Sequence, residues 1–191
     1  MFHEAIKEAT REAHQHLEKQ VILQLKQIRT PMDYGALLSK FCLYFNALEQ
    51  KIAPHINTES LPDYDQRRKA HRLHDDLATT GFLLSGHPAV SLPVIGNVYH
   101  AFGALYVMEG SVMGGGIIIK MLKEKCGIHE GYTFFQGYGD HTPAMWQYFI
   151  GHMNTLLDSN AGAAAMMIDS AKDTFEHFSI LFQPHEQETQ L

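Results

Sequence analysis

Cysteine is nearly absent. Cys42 and Cys126 are the two in 191 residues, which leaves neither a disulfide framework nor a thiolate zinc site. Basic charge is in deficit, with 15 Lys and Arg against 21 Asp and Glu and a net charge of -6. That balance, without a clustered basic face, lacks the footprint of a nucleic-acid binder. No stretch sustains the period-two alternation of a strand, and there is no internal repeat. HExxH and Glu-x-x-His are both missing, which removes the metalloprotease and di-iron bundle signatures. The N-terminus, MFHEAIKEATREAH, mixes charges of both signs and has no apolar core of signal-peptide type, so the expected compartment is the cytoplasm.

What is present is helical periodicity almost throughout. Phe2, Ile6, Ala9, Ala13, Leu17 and Val21 recur at three-to-four spacing and predict a first amphipathic helix over about 3–27. Thr30 followed by Pro31 is a helix start, and Tyr34, Leu37, Leu38, Phe41, Phe45, Leu48 and Ile52 give the second helix a wide apolar face. Ser60 to Ala78, with Leu73 and Leu77 as its apolar contacts, reads as a third, partly exposed helix. Gly81, Gly86, Pro88 and Pro93 mark a loop, a glycine-bearing helix follows over about 95–125, and Gly131 to Asp140 reads as a loop. Thr142 and Pro143 repeat the start signal before Trp146, Phe149, Ile150, Met153 and Leu157. Ala164, Ile168, Ala171, Phe175, Phe178 and Phe182 line a last helix. The expected fold is all-α, a compact multi-helix domain over 1–182 with a polar, mobile tail over 183–191.

The glycine-bearing segment is the most unusual. AFGALYVMEGSVMGGGIIIKM, Ala101 to Met121, carries five glycines, and each costs roughly 0.8 to 1 kcal/mol relative to Ala inside a helix. Gly103, Gly110 and Gly114 fall near one line, so a flat object could lie against the bare stripe. Close packing of two helices would use the same glycines. A membrane span is opposed by Glu109 in mid-segment, at about 2.5 to 3.5 kcal/mol in lipid.

Thirteen histidines raise the question of metal ligation. His71 and His74 share a face beside Asp75, where a solvated polar surface is the simpler account. His14 and His16 point about 200° apart and cannot hold one ion together. His14 has Thr10, Leu17 and Val21 as same-face neighbours, whereas His16 sits among Glu12, Lys19 and Gln20. Lys7 and Arg11 place cations along the side of His14, and Glu18 lies one turn beyond it, where a carboxylate could orient the imidazole. An imidazole for iron, cations for carboxylates and a bare glycine helix for a planar ring together suggest haem.

On these residues the sequence resembles the haem oxygenases, particularly their bacterial members. EATREAHQHLE, Glu8 to Glu18, is similar to the family's proximal-helix motif, with His14 at the position of the axial ligand. MEGSVMGGG, Met108 to Gly116, resembles the distal-helix motif, with Gly110, Gly114 and Gly115 on its glycines. LHDDLA, Leu73 to Ala78, is similar to a third family stretch. AKDTF at Ala171 to Phe175, with Leu181 and Phe182, resembles the aromatic wall of the family's haem pocket.

The resemblance implies O2-dependent opening of haem b, at once substrate and prosthetic group, to biliverdin, CO and ferrous iron. Electrons would come from a separate donor protein of ferredoxin or reductase type. It implies His14 as iron ligand, Lys7 and Arg11 as partners of the propionates, Glu18 beside the imidazole, and Phe175 and Phe182 as pocket wall. Gly110, Ser111, Gly114 and Gly115 would form the distal surface that leaves O2 room to bend toward the ring edge. Two departures accompany it. Ser111 stands where many members have Asp, and Trp146 and Ile150 occupy positions where many members place basic residues. A carrier or sensor of the same fold, binding haem or another tetrapyrrole without turnover, is the alternative those missing cations favour.

Overall fold

A computed structural model describes residues 2–84, 89–158, 160 and 162–183. Gly86, Pro88 and the tail beyond Gln183 lie outside the described residues. Among those described, seven α-helices and three short 3-10 turns account for the regular structure: α1 Phe2–Leu25, α2 Pro31–Ile52, α3 His71–Thr79, α4 Val98–Cys126, α5 Thr133–Gln136, α6 Thr142–Asp158 and α7 Ala163–Ile180. The fold is all-α.

Local chemistry sets the boundaries. Thr30 and Asp33 exchange side-chain-to-backbone bonds in a capping box at the start of α2, with Pro31 as first helical residue. Asn97 accepts from the His100 N–H at 2.9 Å and starts α4 three residues later than the periodicity suggests, and Gly127, at φ 65°, ends it in a left-handed turn. The third helix is shorter than its sequence implies. Residues 60–70 form turns and a 3-10 segment, Tyr64–Gln66, because Arg67 adopts an extended backbone and both Arg67 and Arg68 are drawn inward and buried. The 131–140 interval is not wholly loop, since it contains α5 and the turn Gly139–His141.

Helix α4 is the centre of the molecule, packed along α7 and touching α2, α5 and α6. It is long and apolar enough to cross a membrane, yet just over half of its apolar window is buried inside the fold and Glu109 within it is ion-paired, so it is a core helix. The core of aromatic and branched side chains runs from Tyr34, Tyr44 and Phe45 on α2 to Phe102 on α4, Phe149 on α6 and Phe178 on α7. Helix α1 packs on α7 and only lightly on α4. Between α1 and α4 a space is left open.

Candidate functional site

The space between α1 and α4 is a cavity of about 990 Å³, at the upper end of the usual range for small-molecule sites. One wall is α1, contributing His3, Lys7, Arg11, His14 and Glu18; another is α4, contributing Tyr106, Gly110, Ser111 and Gly114. Phe175 of α7 and Trp146 of α6 close the sides. The spacing of α1 explains why these side chains share a wall, because steps of three and four residues keep returning to one face.

His14 stands against Phe175, with ring centroids 5.4 Å apart at 59°, so packing limits the imidazole's orientation while its free side opens on the cavity. His16 is absent from the lining. Arg11 is paired with Glu8 at 2.9 Å, both side chains more than half exposed. Among the described residues no hydrogen bond joins Glu18 to His14, and both line the same cavity. Tyr106 also faces the cavity, and burial holds its phenol above the usual range, opposed by its contact with Thr10.

The glycines of α4 separate into two groups. A Cβ on Gly114 would meet nothing within 4 Å, and one on Gly110 would touch only the Trp146 ring, at 3.6 Å. A Cβ on Gly103 would fall 2.3 Å from the Met167 carbonyl oxygen of α7, and one on Gly115 would fall 2.0 Å from that of Phe135 in α5. Gly103 and Gly115 therefore permit backbone-to-backbone packing and do not reach the cavity. The single stripe read from spacing is thus corrected: Gly103 belongs to the α7 contact. Phe182 also lies outside the cavity, edge-on to Phe41 at 6.1 Å and to Phe178 at 5.2 Å in the core. Ile150 is buried, and Trp146 covers Gly110, so α6 brings no cation to the lining.

Behind α4 lies a charged network that sequence reasoning missed. Arg68 Nη2 donates to Ser111 Oγ at 2.8 Å and to the Met108 carbonyl at 2.5 Å, Nη1 donates to the Phe134 carbonyl at 3.1 Å, and the guanidinium lies 3.7 Å from the Phe134 ring centroid. Burial pushes the Arg68 guanidinium down to about 10, the direction expected when a charge loses its water. Next to it Arg67 Nη1 pairs with Glu109 Oε2 at 2.9 Å and Nη2 with Asp63 at 2.7 Å. Tyr138 Oη donates to Glu109 and accepts from the Arg68 backbone N–H at 2.9 Å. Asp76, in the LHDDLA stretch, accepts from Thr133 and Phe134 at the start of α5 and so holds the backbone that packs on Gly115. One signal pointed here: an acid in mid-run of an apolar helix requires a buried partner, and the nearest arginine pair in sequence is Arg67 and Arg68.

Fold and site together define an all-α protein whose cavity sets the imidazoles of His3 and His14 with Lys7 and Arg11 on one wall and the bare main chain of Gly114 on another. Comparisons with known proteins point the same way. The family model described as heme oxygenase matches residues 95–184. A heme oxygenase of Xanthomonas campestris pv. campestris (strain 8004) is 29% identical over 146 residues, 76% of this chain and 86% of that protein. The crystallised heme oxygenase of Neisseria meningitidis, determined with NO and CO bound, shares the fold with a TM-score of 0.69 at 19% identity, over 95% of this chain and 90% of that one. Over residues 95–184 the chain is similar to the haem oxygenases, and it has the fold of the Neisseria meningitidis protein.

Proposed function

We propose that this protein opens haem to biliverdin, CO and ferrous iron, using O2 and electrons from a separate donor protein of ferredoxin or reductase type, in the cytoplasm. The observation that supports this most is one cavity lined both by His14 and by Gly114, over which no side chain stands. The residues fit the macrocycle. The His14 imidazole would hold the iron, aromatic rings at Phe175 and Trp146 suit a flat apolar body, and Lys7 and Arg11 suit its carboxylates. Bound haem would supply both the redox iron and the meso carbon that is oxidised.

The protein's own part is binding, orientation and proton control. His14, packed against Phe175, would hold the iron. Bare main chain at Gly114 would leave space for the macrocycle, with Trp146 bordering Gly110 beside it. The Ser111 hydroxyl donates to the Met108 carbonyl at 2.7 Å and accepts from Arg68, so its remaining lone pair is the one offered to the cavity. Ser111 thus orients a proton donor such as water and does not itself supply the proton. Arg68 behind it favours negative charge at that wall, in a setting where water does not screen it.

A second reading, a haem or tetrapyrrole carrier without turnover, is favoured by the lack of any cation from α6 in the lining. Hemin added to the protein, followed by ascorbate or a reductase under air, distinguishes the two. Loss of the Soret band with growth of a long-wavelength biliverdin band is expected for the enzyme; a band that persists marks the carrier.

A further inference from the structure

Every basic side chain of the cavity lining, among the described residues, comes from α1: His3, Lys7, Arg11 and His14. His3, Lys7 and Arg11 recur at four-residue steps and form a row along the rim. Lysine and arginine keep their charge across the neutral range. Histidine is the side chain that changes charge between about pH 5 and 8.

His3 is also held better than its two neighbours in the row. Its side chain is 24% exposed, against 59% for Arg11, and its ring meets Trp146 at 5.8 Å and 73° and Tyr106 at 6.3 Å and 61°. The charged and titratable groups that face it are few. On α1, Glu4 approaches Nδ1 at 3.8 Å and Lys7 lies one turn away. Helix α4 contributes the Tyr106 phenol, and α6 contributes Trp146, which does not titrate. Aromatic rings on two sides accommodate a cation, and the cavity edge between His3 and Lys7 is where an anionic group would be received.

We propose that His3 is a substrate-binding residue whose imidazolium receives a carboxylate of the macrocycle beside Lys7. The inference rests on reading the cavity as the haem site. An anion binds better to the protonated ring, so capture tightens as pH falls and weakens as pH rises.

Metal-free protoporphyrin IX is the probe, because it keeps both carboxylates and lacks the iron that His14 would ligate. Its binding is read from quenching of Trp146, the single tryptophan, which lines the cavity. The full chain is expected to bind about three- to fivefold more tightly near pH 6 than near pH 8, the size of an exposed ion pair. His3→Gln is expected to hold the weaker value at both pH values and His3→Lys the tighter one, and the porphyrin dimethyl ester is expected to show no pH difference. A pH difference that survives His3→Gln, disappears in His14→Ala or persists with the ester overturns the assignment to His3. If the porphyrin binds at neither pH, the cavity reading falls and His3 with it. If it binds with a slope indifferent to His3, only His3 falls.

Discussion

Helix α4 carries glycines of two kinds, and the difference between them separates packing from function. Gly103 and Gly115 lie where another segment's carbonyl oxygen occupies the place of a side chain, whereas Gly110 and Gly114 face the cavity. In a sequence all of them lower helix propensity equally. Structurally, one pair is offset by intimate contact with α7 and α5, whereas in the other Gly110 meets only the Trp146 ring and Gly114 leaves surface uncovered for a ligand.

Alanine substitution is the sharpest way to break that comparison. Gly103→Ala is expected to be the most damaging, by about 3 kcal/mol in thermal or denaturant unfolding, because the Met167 carbonyl at 2.3 Å from the new Cβ belongs to a long packed helix that cannot give way. Gly115→Ala is expected to cost less, about 1 to 2 kcal/mol, since the opposing Phe135 lies in a four-residue helix next to a loop. Gly114→Ala is expected to stabilise the protein by up to about 1 kcal/mol through helix propensity, with hemin affinity the property that declines. If Gly103→Ala and Gly114→Ala unfold at the same temperature, the two-group account is wrong.

Much of the fold was legible because it rests on periodicity: the row Ile6, Leu17 and Val21 on α1, the apolar face of α2 and the cap at Thr30 each fix an element locally. The face of α1 that carries His14 was legible for the same reason. Two things were not. Three glycines at steps of seven and four define an angle on a helix but not what lies opposite, so the neighbours of Gly103 and Gly115 had to come from tertiary structure. The stretch from Ser60 to Ala78 reads as a partly exposed helix because charge normally means exposure. Here Arg67, Arg68 and Asp76 are buried and bonded to Glu109, Ser111 and the start of α5. Glu109 had the stronger claim to attention, as a charge that an apolar helix cannot carry alone.

The uncovered glycines have meaning only if the imidazole across the cavity takes iron. Hemin titration of the wild-type chain beside His14→Ala and His16→Ala, followed in the Soret region, addresses that directly. A sharpened band in wild type and His16→Ala, lost or shifted in His14→Ala and restored by added imidazole, is the expected result. A hemin complex whose spectrum is indifferent to His14 would contradict the account.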